Sequence, residues 1–290
     1  MNIGFIGFGE VGYEMSKGFI SQDSSHNIFI YDHLYENKET KNRVKEVQGT
    51  LFNDPLKVVQ QDLDILFVAV PAPYAYEAWK SIWSGLTDKT IYVDLTTASA
   101  ETKKIISEEM NSENRCFVDA AIMGPLKGNQ HKVPMIVSGA QSKEFIELGK
   151  KMGMNLAYVS ELAGDATNIK FIRSIFTKGL STLLHEVMEI AEKLQLEKTI
   201  LDSITGTIDK EPFENVINRL ITGNVIHSER RVKEMENVIA FMVENNVDSQ
   251  MTIATRDKLL SITEMNLKER FHGQAPMNWK EVMRVINKEE

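Results

Sequence analysis

Short apolar runs alternate with amphipathic segments over the first half of the chain. The runs are rich in Ile, Val, Phe and Tyr and mostly continuous, as expected for strands that are buried on both faces. They predict strands at residues 2–6, 27–31, 65–70, 91–94, 117–121, 134–137 and 156–159, and helices between them at 11–21, 74–85, 100–112 and 143–152. Strands that alternate with helices indicate right-handed crossovers and a mainly parallel sheet.

The alternation stops near residue 163, and the rest of the chain has helical periodicity with few breakers. Helices are predicted at 165–194, 200–205, 213–222, 227–245, 249–265 and 279–287. Gly164 and the polar pair Ser160-Glu161 precede the first of them and mark the start of a long helix. The pattern therefore predicts an α/β domain at residues 1–161 and an all-α domain at residues 162–290. The long helix would join the two across a cleft.

Composition and charge exclude several classes of function. The 290 residues include 41 acidic and 33 basic side chains, a formal net charge of −8. An acidic surface does not attract nucleic acid or an anionic membrane, and no apolar stretch approaches the ~20 residues of a membrane helix. The single cysteine, Cys116, excludes an intramolecular disulfide, and a strand pattern begins at once without a signal peptide. We expect a cytoplasmic protein.

The motif with the clearest chemistry is Gly7-Phe8-Gly9-Glu10-Val11-Gly12, between the first predicted strand and the first predicted helix. In a dinucleotide-binding turn the first glycine makes the tight bend, the second admits a pyrophosphate, and the third lets the helix pack on the sheet. The helix N-terminus then offers N–H groups to the phosphates. A strand before, a helix after and an acidic residue at the end of the second strand complete the pattern of a Rossmann domain. The alternative is a glycine turn in a nucleotide-free α/β domain.

That acidic residue is Asp32, twenty positions beyond Gly12. A carboxylate there accepts hydrogen bonds from the adenosine ribose and repels a 2′-phosphate, so NAD is favoured over NADP. A solvated loop carboxylate is the alternative, and His33 and Lys38 nearby would soften the discrimination.

Two further segments follow predicted strands, where the ligand crevice of a doubly wound sheet lies. Val70-Pro71 and Asp94-Leu95-Thr96-Thr97 are expected to face the ribose and nicotinamide, with the Thr97 hydroxyl as a hydrogen-bond donor. Ordinary strand-ending turns would have the same pattern.

Lys170 lies in the otherwise apolar start of the long helix, among Ile169, Phe171 and Ile172. An ammonium that points into the cleft can hydrogen-bond a substrate oxygen and carry its proton, and desolvation would bring its pKa toward the working range. A solvated surface lysine is the alternative.

The order of these motifs, together with Asp119-Ala120-Ala121-Ile122-Met123-Gly124, resembles the β-hydroxyacid dehydrogenase family, which includes 6-phosphogluconate dehydrogenase. The segments 164–180 and 227–235 are similar to the branch with the C-terminal domain called "phosphogluconate dehydrogenase, NAD-binding, putative". The resemblance implies Lys170 as general acid/base, Thr97 and Val70-Pro71 as nicotinamide-side contacts, and Gly124 as a contact of the substrate carboxylate. It also implies a homodimer formed through the C-terminal helices.

Some positions depart from the family pattern. The substrate loop has Met123 where the family usually has serine, and Ser174 replaces an asparagine four residues after the lysine. Thr177 stands where decarboxylating enzymes have a glutamate, which argues against 6-phosphogluconate as substrate. The family's C-terminal Lys-Asp motif is not evident.

In the region of that missing motif, Arg230 and Arg231 are adjacent on a predicted helix. One of them, for which we take Arg231, would bind a substrate anion while the other pairs with Glu229 or Glu234. An ion-paired helix face is the alternative. His227 is expected before this helix as a cap-region or packing residue, and the histidines show no metal-ligand spacing.

We therefore expect hydride transfer between NAD and a small anionic 3-hydroxy acid or related hydroxy compound, without a metal. Two alternatives stay open. An imine or opine-type reductase would share the architecture, and a non-catalytic NAD-binding regulatory protein would bind NAD without turnover.

Overall fold

In the computed structural model, which describes residues 1–288, the chain divides into two compact units, Met1–Ser174 and Ile175–Glu290. The apolar pattern predicts a boundary before the long helix, whereas the units divide inside it. The first turns of that helix are hydrogen-bonded to a strand of the first unit, through the Asp119 carboxylate.

The first unit is an eight-stranded sheet with helices between the strands. Its strand order is β3-β2-β1-β4-β5-β6-β7-β8, and only β6 and β7 pair antiparallel. The strands are β1 (Asn2–Ile6), β2 (Asn27–Tyr31), β3 (Thr50–Phe52), β4 (Ile65–Val68), β5 (Ile91–Asp94), β6 (Cys116–Ile122), β7 (Met135–Ser138) and β8 (Leu156–Ser160). All four residues of β4 are buried, which explains its continuous apolar sequence.

The helices of the first unit are α1 (Glu10–Gln22), α2 (Lys38–Glu46), α3 (Pro55–Val59), α4 (Ala75–Ile82), α5 (Ala100–Asn111) and α6 (Ser142–Lys151). Two apolar cores include the fully buried side chains of Phe67 and Trp79. Short 3₁₀ turns occur at Ala72–Tyr74, Trp83–Gly85 and Gln130–Lys132.

The second unit is helical. Helix α7 (Asp165–Lys193) begins in the first unit, and it is followed by α8 (Glu197–Ile208), α9 (Phe213–Glu244), α10 (Gln250–Glu264), α11 (Leu267–Arg270) and α12 (Trp279–Ile286). The periodicity predicts two helices, 213–222 and 227–245, where α9 is continuous. The gap between the two predicted helices, residues 223–226, is helical, and within it the Asn224 side chain accepts a hydrogen bond from Arg231.

Candidate functional site

The glycine turn, residues 7–12, has the backbone geometry that its sequence predicts. Gly7 has φ +92°, and a Cβ on it would lie 2.5 Å from the Ala69 carbonyl oxygen. A Cβ on Gly12 would lie 2.8 Å from the Gly7 carbonyl oxygen, so helix α1 packs directly under the turn. Both positions therefore require glycine.

Gly9 has a different role, because no atom lies within 4 Å of where its Cβ would be. It is exposed and precedes helix α1, whose first N–H groups have no side-chain capping hydrogen bond. Glu10 is exposed and Val11 is half-buried beside them. An open helix N-terminus next to a bare backbone fits a pyrophosphate. Phe8 is buried in the core against Phe5, so it offers a ligand only its backbone.

Asp32 follows β2 and is buried beside the glycine turn. Its Oδ2 accepts a hydrogen bond from the Phe8 N–H at 2.6 Å, and its Oδ1 accepts one from the Leu34 N–H at 2.8 Å. The imidazole Nδ1 of the exposed His33 lies 3.5 Å from Oδ1. Besides its predicted ribose contact, the carboxylate therefore braces the turn, a function that sequence reasoning missed.

The carboxyl ends of β1, β4 and β5 lie at one edge of the sheet. Their parallel registers pair Ile6 with Val68 and Val68 with Asp94. The segments that follow these strands consequently begin side by side, with Val70 half-buried and Pro71 and Thr97 exposed. The Asp94 Oδ1 accepts a hydrogen bond from the Thr96 N–H at 2.7 Å and shapes the turn that leads to Thr97.

β6 ends at the same edge, and Met123 and Gly124 follow it, both half-buried. The Met123 N–H donates to the Pro134 carbonyl at 2.8 Å, which closes the base of the loop. A Cβ on Gly124 would lie 3.6 Å from Pro134 and Val133, an ordinary contact, so packing does not require glycine here.

Helix α7 is attached to this loop by a residue that sequence reasoning did not assign. The Arg173 Nη1 donates to the Met123 carbonyl at 3.0 Å. The half-buried Lys170 precedes Arg173 by three residues, which are neighbouring positions on a helix surface. The start of α7 therefore runs beside the strand edge that carries the candidate ligand contacts. The spacing of Lys170 and Arg173, one helical turn apart, was the sequence signal that could have pointed to Arg173.

Ser174 is half-buried and ends the first unit. In the second unit, the Arg231 Nη1 donates to the Asn224 side-chain oxygen, and Arg230 forms an ion pair with Glu234. The predicted pairing of one arginine with Glu234 is confirmed. The expected place of His227 is wrong, because it lies inside the continuous helix α9 rather than before a helix.

Within residues 1–288, no helix combines the length and the apolar character that crossing a membrane requires.

Comparisons with known proteins cover both halves of the chain. Residues 2–164 match the NAD binding domain of 6-phosphogluconate dehydrogenase, and residues 191–262 match a domain of unknown function (DUF1932). An uncharacterised 28.5 kDa protein of Methanothermus fervidus, described as lying in the 7S RNA 5′ region, is 30% identical over 264 residues, which is 91% of this chain and all of the relative.

Solved structures extend the comparison. A conserved protein of unknown function, described as structurally similar to 3-hydroxyacid dehydrogenases, is 29% identical with a TM-score of 0.61 and covers 95% of this chain and 100% of its own. An imine reductase variant from Myxococcus stipitatus in complex with NAD+ has a TM-score of 0.75, with 98% of each chain covered. It is 15% identical, so this likeness shows the fold.

These matches confirm a Rossmann-type NAD(P)-binding domain followed by a helical region. The family match spans more than half of the chain, and the resemblance identified from the motifs is confirmed. The chain therefore belongs to the family of the NAD binding domain of 6-phosphogluconate dehydrogenase.

Proposed function

We propose that this protein is an oxidoreductase that moves hydride between NAD and a small anionic 3-hydroxy acid or a related hydroxy compound. The observation that carries the proposal is the convergence of the open glycine turn, the Thr97 turn and the Met123-Gly124 loop at one sheet edge, with the Lys170 helix bonded to that edge through Arg173. A nicotinamide dinucleotide bound there supplies or accepts the hydride.

In this proposal each residue has a defined task. The N–H groups at Gly9 and the start of α1 bind the pyrophosphate. Val70, Pro71 and Thr97 orient the nicotinamide side of the cofactor. Gly124 binds the anionic group of the substrate, while Met123 and Ser174 line its other faces. That Arg231 binds a substrate anion stays a prediction from the sequence. The neutral amine of Lys170 takes the hydroxyl proton during oxidation, and its ammonium form gives a proton to the substrate oxygen during reduction.

The preference for NAD over NADP rests on Asp32. Its carboxylate is fixed by two backbone N–H groups beside the turn, so it cannot swing away from a ribose at that place. A fixed negative charge repels a 2′-phosphate, which supports NAD as the cofactor.

The test is NADH binding followed by turnover. NADH fluorescence measures affinity, and a screen of hydroxy acids with NAD and NADP identifies a substrate. Lys170→Ala should leave NADH affinity intact and lower turnover by ~10²-fold or more, because a general acid/base is lost. Lys193→Ala, at the other end of the same helix, is the matched control and should retain turnover. Unchanged turnover in Lys170→Ala would remove the catalytic assignment, and NADH binding without any turnover would favour a regulatory protein.

A second candidate is reduction of a C=N bond. The half-buried Met123 places an apolar side chain at the end of β6, where the family's hydroxy acid enzymes usually have serine. Amines and cyclic imines belong in the same screen. Turnover on these compounds and not on hydroxy acids would decide for the second candidate.

We also propose a homodimer formed through the helical unit. In the single chain none of the described residues of α8 is buried, and Ile175, Phe176 and Leu180 of α7 are exposed. Exposed apolar side chains that recur along a helix are typical of an interface between subunits. Light scattering coupled to gel filtration should give a mass near twice the 32.9 kDa of the chain.

A further inference from the structure

Three charged side chains are completely buried together in the first unit: Lys103 of α5, Asp94 of β5 and Asp119 of β6. The Lys103 Nζ lies 2.8 Å from Asp94 Oδ1, 3.0 Å from Asp119 Oδ1 and 3.2 Å from the Asp94 carbonyl oxygen. An ammonium has three N–H donors, and these three acceptors match them. Burial by itself lowers the pKa of Lys103, but the two carboxylates outweigh it and raise that pKa, so the lysine stays charged.

The Asp94 side of this cluster holds the turn after β5. Its Oδ1, which accepts from Lys103, also accepts from the Thr96 N–H, and its Oδ2 accepts from the Trp79 indole N–H at 2.7 Å. The position of the Asp94 carboxylate therefore sets the position of the Thr96-Thr97 turn.

The Asp119 side holds the beginning of α7. The Asp119 Oδ2 accepts hydrogen bonds from the Gly164 N–H at 3.1 Å and the Thr167 N–H at 3.0 Å, and Oδ1 accepts one from the Thr167 hydroxyl at 2.9 Å. The Asp119 carboxylate, on strand β6, thus caps the helix that carries Lys170. Negative charge at a helix N-terminus is favourable.

The charges of the three side chains partly neutralise one another. Two carboxylates and one ammonium leave a net charge of −1, which faces the positive end of α7. A buried ion pair adds little stability compared with well-packed apolar residues. Its geometric requirements are strict, however, so its main effect is to fix the distance between the groups it joins.

We propose that Lys103 is a positioning residue that fixes the Thr96-Thr97 turn and the first turn of the Lys170 helix relative to each other. The inference rests on the proposed function, in which the first segment orients the nicotinamide and the second carries the acid/base. Lys103 itself touches neither cofactor nor substrate.

The experiment compares variants of the full chain. Lys103→Met alone leaves two buried carboxylates facing each other and threatens folding. The double variant Lys103→Met/Asp94→Asn restores the net buried charge to −1, and Lys103→Arg keeps the cation. Asp94→Asn alone measures the part of the effect that comes from Asp94 itself. Lys104→Met is the matched control, because Lys104 is the next residue of α5 and its side chain is 60% exposed.

The first measurement, amide hydrogen exchange, needs no turnover. The double variant should exchange at least tenfold faster than Asp94→Asn alone at both residues 95–98 and residues 164–168, with the strands of the sheet unchanged. Lys103→Arg should recover most of this protection, and Lys104→Met should match the wild type. Acceleration at one segment only, or evenly across the sheet, would overturn the positioning role even if the wild type has no activity.

The second measurement separates positioning from general damage. With the best substrate from the screen, the double variant should lose tenfold or more in kcat, while its KM and NADH Kd stay within about threefold of the wild type. Equal kcat would overturn the role of Lys103 and leave the proposed function standing. Absence of turnover in the wild type would count against the proposed function, and the exchange data would then decide on Lys103.

Discussion

The two compact units bury their apolar side chains to very different extents. The first unit encloses large aromatic residues such as Trp79, Tyr92 and Phe67 almost completely in two cores. The core found in the second unit is built on Val225, Leu267 and Val282, and the side chain of Ile175 on α7 is 76% exposed. Burial of apolar area stabilises the folded state by roughly 25 cal/mol per Å², so large buried side chains stabilise the first unit strongly.

This difference has a consequence for how each half is stabilised. The first unit gains its stability within one chain, and its rigid sheet edge is suited to hold a precise site. The second unit leaves apolar helix faces exposed in a single chain, so its stability should increase when another copy covers them. The following four experiments test that contrast.

The largest expected effect comes from removing a buried aromatic ring of the first unit. Phe67 is fully buried on β4 and stacks on Phe5 with ring centroids 5.2 Å apart. Phe67→Ala should lower the free energy of unfolding by about 3–5 kcal/mol, measured by urea denaturation of dilute protein. Phe241→Ala on α9, where the ring is 42% exposed, is the matched control and should cost under about 1 kcal/mol. Similar losses in the two variants would contradict the contrast.

A smaller effect concerns a histidine buried in the first unit. His131 is 3% exposed and bonded to Gln22, and burial lowers its pKa from 6.5 to about 4. The unfolded chain therefore takes up a proton first as the pH falls. The contribution of neutral, buried His131 to the free energy of unfolding is fully present above pH 6.5. It decreases as the pH falls toward about 4, by on the order of 2–3 kcal/mol. His131→Asn should flatten this dependence in urea titrations, whereas exposed His33→Asn should keep it. Identical slopes in both variants would exclude His131 as the cause.

The exposed face of α7 gives a test of the second unit. Ile175→Asp should weaken self-association by about 1–3 kcal/mol, because a charge placed in a subunit interface must be desolvated. Light scattering should detect the lower mass at micromolar protein. Ile105→Asp on α5 of the first unit, where the side chain is 39% exposed, is the control and should retain the mass of the wild type. Loss of mass in both variants, or in neither, would count against the proposed interface.

The smallest expected effect concerns the preference for NAD over NADP at the sheet edge. Asp32→Asn removes a charge and keeps one acceptor for the backbone bonds beside the glycine turn. The ratio of NADP affinity to NAD affinity should rise about tenfold (~1.4 kcal/mol), measured by fluorescence titration with both reduced cofactors. Asp54→Asn, after the neighbouring strand β3, should leave the ratio unchanged. A wild type that prefers NADP would refute the ribose argument.

Local sequence determined much of the first unit. β1, β2 and β5 have the predicted bounds, because short runs rich in Ile, Phe, Val and Tyr are typical of strands. The short strand Thr50–Phe52 and the polar helix Lys38–Glu46 were missed. Three residues carry too little periodicity, and the sequence of that helix is almost wholly polar.

Some site residues could be assigned only from the tertiary structure. The glycine turn was not one of them, since φ +92° at Gly7 is a local backbone requirement that only glycine meets without strain. The bracing role of Asp32 and the contact of Arg173 with Met123 join segments that are distant in sequence.

Lys103 shows most clearly what could not be predicted from the sequence. It lies on the apolar face of α5, three residues before Ile106 and seven before Met110, where an isolated helix gives it no partner. Its acceptors, Asp94 and Asp119, stand opposite each other on adjacent strands. The sequence by itself determined the Rossmann domain and the cofactor turn, because these depend on local backbone geometry and periodicity, whereas Lys170 became a candidate through the family resemblance. Only the tertiary structure decided which buried charges meet, because pairing across strands depends on sheet order and register rather than on neighbours in the chain.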